Sequence, residues 1–411
     1  MRLYDFAYEV KEGMLISFQA IRANKMRSVL TMLGIVIGIV SVTLMGTAIA
    51  GLSRTVDDSV SKIGADVLYI QKFPWVMGEE EWWKLRNRRD IKMPQFKAVE
   101  RQSTFMKSAS PICGTGVTVK YGNQSADNVA VIGVNEQYLE TAGLGMDEGR
   151  FFNQAEAEGG RPVCVIGTDI AANIYPTESP IGKTIRAGGK IFRVLGILEK
   201  QGKFLGLESM DNRVYVPIEA FRRKYSGRRG ITISVKAIDV AELENMREEL
   251  RGIMRKTRNV KPGAPDDFAI NQQDLLTQAF DKIKTAVGGI GFFITALSLF
   301  VGAIGIMNIM FVSVTERTRE IGIRKAIGAK RSTILIQFLI ESATLSLVGG
   351  VIGLIISFPL SLLLNQVLPT TMPVSVVLIS IFISIVVGVV SGFLPANKAS
   401  KLDPVDALRY E

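Results

Sequence analysis

The chain contains no histidine. That excludes imidazole acid–base catalysis, triads built on histidine and His-ligated metal centres. Cysteine is nearly absent as well. Cys113 and Cys164 are the two in the chain, so no CxxC redox or zinc pattern exists. Whether they join as a disulfide depends on a narrow geometry that sequence does not fix. A complete phosphate loop is also missing. Gly182-Lys183-Thr184 ends like one, but Thr177 stands where the first glycine belongs, and Ala329 separates Gly328 from Lys330. No catalytic residue, metal or nucleotide site is therefore expected on this chain, and any ATP and Mg that drive it are expected on another subunit. No paired carboxylates stand out to support an enzyme.

Charge is missing over long stretches. Thr285 to Thr315 carries no charged residue, nor does Ser342 to Asn397, and Glu341 alone interrupts the run back to Ser332. Upstream, Val29–Leu52 is a first apolar run. At 1.5 Å per residue it covers about 36 Å, enough for a hydrocarbon core of about 30 Å. Lys25 and Arg27 precede it and Ala48-Ile49-Ala50 resembles a cleavage site. The run is nevertheless longer than a signal-peptide core, so an uncleaved anchor is expected. Four spans follow from the pattern, at 29–52, 286–314, 333–364 and 374–394, in a 1+3 layout around an insert at 53–280. Pro369 and Pro373 mark a tight turn between the last two. Gly34 and Gly38 form a GxxxG in the first span, a candidate for close helix packing.

Residues 1–28 carry Val10, Met14, Leu15, Phe18 and Ile21 at helical spacing. This amphipathic helix either lies in the membrane interface, in contact with lipid, or packs on the protein itself, and its direct run into a span favours the interface. The insert is ordinary polar sequence. Its two ends read as alternating strands and helices, whereas about 105–225 reads as β-rich with Gly and Pro punctuation. The expected fold class is a four-span α-helical membrane protein with a large extracytoplasmic α+β domain, made of a mixed α/β part and an inserted β-rich part. Trp75, Trp82 and Trp83 lie in an aromatic, acidic loop. That loop is either a contact site for a hydrophobic substrate, partner or lipid, or a segment packed on its own domain.

Between the second and third spans, residues 315–332 are polar and basic. Ile321, Ile323, Ala326, Ile327 and Ala329 alternate there with Glu320, Arg324, Lys325, Lys330 and Arg331, the pattern of a short amphipathic helix with a surface to offer a partner. Lys and Arg number five in the N-terminal segment and six in this loop, and none occurs at 365–373. The positive-inside rule then puts both termini, the 315–332 segment and the 395–411 tail in the cytoplasm, with the insert outside. Much of the excess positive charge therefore lies beside apolar runs for topological reasons, and no nucleic-acid partner is expected. Glu341 lies near the cytoplasmic end of the third span. An intramembrane carboxylate is a functional candidate, but its depth favours a structural pairing with Lys330, Arg331 or the N-terminal basic residues. A proton relay needs a second such group, and the spans offer none.

Several motifs then resemble one family. Arg22-Ala-Asn-Lys-Met-Arg-Ser-Val-Leu-Thr-Met-Leu-Gly-Ile-Val-Ile-Gly38 resembles the first-span signature of MacB-type, FtsX-like ABC transporter permeases. Gly149-Arg-Phe-Phe152, Pro180-Ile-Gly-Lys-Thr184 and Phe192–Leu198 resemble their extracytoplasmic domain. Asn308 to Arg331 resembles the block closing the second span, and Pro395–Glu411 the family tail. The resemblance implies a multi-pass protein of the bacterial cytoplasmic (inner) membrane, working as a homodimer with two copies of an ABC ATPase. Residues 1–28 leave no room for a fused ATPase domain, so this subunit is expected in trans. The resemblance implies that Glu316, Arg317, Glu320, Ile321, Ile323, Arg324 and Lys325 couple to it, and that the spans carry its motion outward to the external domain (mechanotransmission). A periplasmic adaptor and an outer-membrane channel are further implied partners. Export or extraction of an antibiotic, peptide or lipoprotein is the leading function. The alternative is an FtsX-like signalling permease that activates a cell-wall hydrolase without transport.

Overall fold

A computed structural model describes residues 25–77, 79–205, 208–225, 230–366 and 370–408, with the side chains of 25–31 and 79–81 left aside. The expected amphipathic helix at 1–28 lies almost wholly outside the described residues. Helix α1 (Lys25–Ser61) comes first, then β1 (Val67–Gln71), α2 (Glu79–Leu85), α3 (Met93–Gln102) and the long pair β2 (Met106–Tyr121) and β3 (Gln124–Val134). Next are α4 (Tyr138–Ala142), β4 (Met146–Gly149), α5 (Gln154–Gly159), β5 (Val163–Ile166), α6 (Thr168–Ile174), β6 (Thr184–Ala187) and β7 (Lys190–Leu198). They lead to β8 (Lys203–Phe204), β9 (Glu208–Ser209), β10 (Arg213–Pro217), α7 (Ile218–Lys224), β11 (Thr232–Ala237), α8 (Leu243–Thr257) and β12 (Ala269–Asn271). The chain closes with α9 (Gln273–Glu316), α10 (Thr318–Ala326), α11 (Arg331–Leu364), α12 (Val374–Lys401) and α13 (Pro404–Leu408).

Two compact units result, one of residues 1–54 and 282–411 and one of residues 55–281. Neither junction is a loop, because each falls inside an uninterrupted helix, α1 or α9. Sequence periodicity separates a span ending at Leu52 from a helix starting at Thr55, yet Ser53 and Arg54 contain no breaker and the helix runs through them. Likewise α12 continues past Leu394, through Pro395, to Lys401. A proline removes one helical hydrogen bond, and the complete burial of Ala396 and Ala399 offsets that loss.

Among the described residues, four helices (from α1, α9, α11 and α12) are long and apolar enough to cross a membrane. Lipid tails are as apolar as leucine, so packing between such helices rests on close fit. Small residues supply it. A Cβ on Gly34 would lie 2.8 Å from the Gly302 Cα, and one on Gly38 2.7 Å from the Leu299 side chain, so α1 and α9 touch almost backbone to backbone. On α11, Gly349 and Gly353 receive Ile35 and Ile39 of α1. Ser346 donates to the Ser384 carbonyl of α12 at 2.6 Å. Replacing Gly34 by leucine is expected to cost about 2–3 kcal/mol, since backbone cannot give way. Gly289→Ala, with nothing within 4 Å, is expected to be neutral. Thermal midpoints of the purified protein in detergent check both.

The 55–281 unit carries a ten-stranded mixed sheet among its described residues, ordered β12-β1-β11-β2-β3-β10-β5-β7-β4, with β6 paired to β2 and β7. Strand β2 joins its two halves. The first part, Met106–Ile112, pairs with β11 and the second, Cys113–Tyr121, pairs with β3. Alternation along the strands sends Leu68, Ile70, Val131, Val214, Ile233 and Val235 into one core, which α3 and α8 help close. Both cysteines are buried and no disulfide joins them. Burial pushes the Cys164 thiol up, so it stays protonated.

The Gly149–Phe152 stretch has a local cause. Gly149 has φ +76°, and a Cβ there would strike the Leu195 carbonyl oxygen. Arg150 then grips Glu156 through two 2.8 Å bonds, and Glu156 and Asn153 form a capping box on α5. The Arg150 guanidinium, with the Asn153 backbone N–H, brings the Glu156 carboxyl down to about 2. A depressed carboxyl stabilises the fold above its ordinary value, 4.5, and loses that effect as pH falls through about 2. Because Arg150 is half-exposed, its pairing is screened, and Glu156→Gln is expected to cost about 2 kcal/mol at pH 7. The gap from the parent protein should narrow steadily as thermal melts move from pH 4.5 towards 2.

Candidate functional site

The candidate site is the end of the membrane unit around α10. Helix α9 bends at Arg317 as the Thr318 hydroxyl donates back to the Val314 and Thr315 carbonyls. Such back-bonding bends helices. Helix α10 ends on Gly328, whose φ of +104° suits glycine. Ala329 N–H donates to the Arg324 carbonyl and Gly328 N–H to that of Lys325, closing the turn.

Helix α10 is braced from behind. Ile321 is buried in a cluster with Val314, Ile334 and Phe338. Gly322 lies against Ala407 of α13, where a Cβ would come within 2.7 Å of the Ala407 methyl. The Lys325 amine donates to the Leu402 carbonyl at 2.6 Å. Partial burial, with the Arg331 cation nearby, pushes that amine down. Arg324 bridges Glu320 at 2.7 Å and donates to Gln337 of α11 at 2.8 Å. At the bend, Arg317 meets both oxygens of Glu341 at 3.4 Å.

The seven residues named from sequence therefore separate into two groups. Arg317, Ile321 and Lys325 face inward, and Arg324 is half-buried. Glu316, Glu320 and Ile323 face outward, joined by Arg319, Ala326 and Ile327, which sequence reasoning left out of the set. Ile327 is 83% exposed and Ile323 45%. Positions 319, 320, 323, 326 and 327 share one helical face, and Glu316 is exposed at the end of α9 before the bend. That i, i+3/i+4 spacing was the available signal, and the basic charges around it obscured it. The outward face combines apolar side chains with both signs of charge, a composition suited to protein docking.

Glu341 is buried and paired with Arg317; the N-terminal basic residues also expected as partners lie outside the described side chains. Lys330 and Arg331 are exposed at the start of the same helix. Ten residues of helix place Arg331 about 15 Å along the axis, too far to pair. Trp75 has different surroundings from Trp82 and Trp83. Trp75 is fixed by Gln71, which accepts from its indole N–H at 3.0 Å, and by Tyr69 at 5.2 Å between ring centroids. Trp82 and Trp83 are exposed and stacked edge-to-face, with Arg86 over the Trp83 ring at 4.8 Å. The Gly182-Lys183-Thr184 loop holds no phosphate cradle, since Lys183 is paired with Glu178. No cluster of His, Cys, Asp or Glu able to hold a metal occurs among the described residues.

Two family models match the sequence: a MacB-like periplasmic core domain over residues 28–253 and an FtsX-like permease C-terminal over residues 292–404. The macrolide export ATP-binding/permease protein MacB of Bdellovibrio bacteriovorus is 35% identical over 410 residues, covering 98% of this chain and 62% of that protein. The uncharacterized ABC transporter permease YknZ of Bacillus subtilis is 32% identical over 412 residues, covering 97% of this chain and 99% of that one. The chain thus spans 62% of the length of the MacB relatives it matches. The crystal structure of the periplasmic region of MacB from Actinobacillus actinomycetemcomitans is 21% identical, covers 55% of this chain and 97% of that one, and superposes with a TM-score of 0.45.

Proposed function

This chain belongs to the MacB-type, FtsX-like family of ABC transporter permeases, and from that premise we propose that it transmits the ATP-driven motion of a partner ATPase to its 55–281 domain. The observation that carries the proposal is the outward face of α10 (Arg319, Glu320, Ile323, Ala326 and, at its end, Ile327), with exposed Glu316 closing α9 just before it, held rigidly from behind by α11, α13 and the Arg317–Glu341 pair. A docking surface must not yield when pushed, and this helix is fixed at its start, middle and end. The uninterrupted helices α1 and α9 at the two junctions are what a mechanical link needs.

In this reading ATP and Mg sit on the ATPase, two copies of which serve a permease homodimer. The membrane is the bacterial cytoplasmic (inner) membrane, with both termini inside and the 55–281 domain outside. The cargo is an antibiotic, peptide, lipoprotein or similar molecule, with a periplasmic adaptor and outer-membrane channel as further partners. Export is preferred to signalling because relatives that match 98% or more of this chain carry macrolide export in their names. Co-expression with an ABC ATPase tests the proposal. A complex with equal numbers of both subunits, whose ATPase rate depends on the permease, is the expected result. Failure of any ATPase to associate would overturn it.

A further inference from the structure

We infer that the 55–281 unit holds its own binding site for a small anionic amphiphile, in a chamber of about 450 Å³ on the sheet face opposite the α3/α8 core. The chamber stands independently of any docking at α10. Its floor follows from strand alternation. Residues one step out of phase with the buried Leu68, Ile70, Ile233 and Val235 line it, namely Tyr69 and Gln71 on β1 and Thr232 and Ser234 on β11. Tyr69 lies directly across from Ser234 in the β1/β11 ladder. The small side chains of β11 leave a hollow, and the rings of Tyr69, Trp75, Tyr138 and Phe204 wall it. These walls are fixed in part by the Trp75 indole bond to Gln71 and by Tyr138 tilted against Tyr215, 5.4 Å between ring centroids. A pre-formed aromatic chamber of this volume falls within the range for small-molecule sites.

The polar groups specify the ligand's charge. Arg213 enters the chamber from β10 with its side chain 17% exposed. Its nearest carboxylate, on Glu208, stands at 3.7 Å and is 71% exposed, longer than a hydrogen bond and open to water. The Arg213 Nε is buried outside hydrogen-bond geometry. The guanidinium also lies against the Tyr215 hydroxyl, so an anion in the chamber would meet its terminal N–H groups, in competition with Glu208. A second, more polar cavity of about 270 Å³ shares Lys62, Ala142, Leu144 and Gln201 with the first and adds Lys200 and Lys236 with the carboxylates Asp66 and Glu199, three lysines to two acids. Lys236 is paired with Asp66 at 3.4 Å, and Lys62 reaches the Gln201 carbonyl at 2.5 Å. Apolar chamber, inner cation and basic vestibule together fit a hydrophobic body bearing one carboxylate or phosphate.

Trp75 lets the site be read directly. The chain has three tryptophans, so Trp82→Phe with Trp83→Phe leaves Trp75 as the sole reporter. In full-length protein in lipid nanodiscs, bromonaphthoate is expected to quench Trp75 saturably. The cationic bromonaphthylmethylammonium should bind at least about tenfold more weakly, and Arg213→Gln should weaken bromonaphthoate by about tenfold or more. Thr232→Phe, which fills the floor, should abolish saturation while leaving the charges in place. It keeps the test decisive where Arg213→Gln fails to fold. Linear quenching that is equal in all variants would mean partitioning into lipid alone and overturn the inference. Preference for the cationic probe would overturn the assigned charge.

Discussion

Replacing Ile327 by aspartate is expected to abolish recovery of the ATPase with the permease while leaving the permease folded. Ile327 is 83% exposed at the end of α10, so its loss removes almost no internal packing, and surface changes of this kind stay within about 0.5 kcal/mol of the parent. At a docking interface the outcome differs. An exposed isoleucine on a rigid helix is an anchor, and aspartate there loses apolar burial and also desolvates an unpaired carboxylate. Together these are expected to cost about 3–4 kcal/mol, a roughly hundredfold to thousandfold loss of affinity. Ile323→Asp should act in the same direction, more weakly because Ile323 is 45% exposed and already partly packed. Ile238→Asp, at a 61% exposed position in the 55–281 unit, should leave the complex intact. Pull-down yields with the ATPase, read beside thermal midpoints, check all three.

Breaking the Arg317–Glu341 pair is expected to be the most damaging substitution for the fold of the membrane unit. The Glu341 side chain is 2% exposed and Arg317 25%. Charges taken this far from water are tolerable when paired, and because Glu341 keeps a further polar or electrostatic contact, removing Arg317 costs at most about 3–5 kcal/mol, the loss for a broken buried pair. Arg317→Leu should therefore sharply reduce the yield of monodisperse protein. The double variant Arg317→Leu with Glu341→Leu should recover most of it, because well-packed apolar residues replace buried ion pairs at little cost. Size-exclusion profiles and melting midpoints of the two single variants and the double variant form the required cycle. If the double variant recovers folding but not coupling of ATP hydrolysis, the pair also fixes the angle at which α10 leaves α9.

Much of this architecture was legible because membranes impose simple rules. Long uncharged runs read as spans, and four helices long and apolar enough to cross a membrane occur there among the described residues. What sequence did not reveal lies where tertiary contacts override local pattern. Ser53 and Arg54 look like the edge of a span, yet helix α1 passes through them. Pro395 looks like a terminator, yet α12 continues, held by buried Ala396 and Ala399. The GxxxG of Gly34 and Gly38 is visible in sequence, but Gly302 and Leu299 as the surfaces they meet are not.

The candidate site shows the same limit. Alternation in the 315–332 segment indicates a short amphipathic helix, and the family resemblance implies the seven coupling residues in it. Sequence could not say that α13 would cover Gly322, or that the Lys325 amine would be taken by the Leu402 carbonyl. Those contacts turn the helix so that Arg319 and Ile327 face outward while Ile321 is buried. The tryptophans were grouped by proximity in the chain, but Trp75 belongs to the wall of an internal chamber and Trp82 and Trp83 to the surface.

The most direct test of the central claim is site-specific photo-crosslinking. A photoreactive residue at position 327 or 323, in membranes that also contain the ATPase, is expected to capture that ATPase, with the yield changing when ATP is added. The same group at position 238 should capture none. An absence of any ATPase adduct from 327 and 323, in a preparation where the two subunits co-purify, would contradict the assignment of α10 as the docking helix.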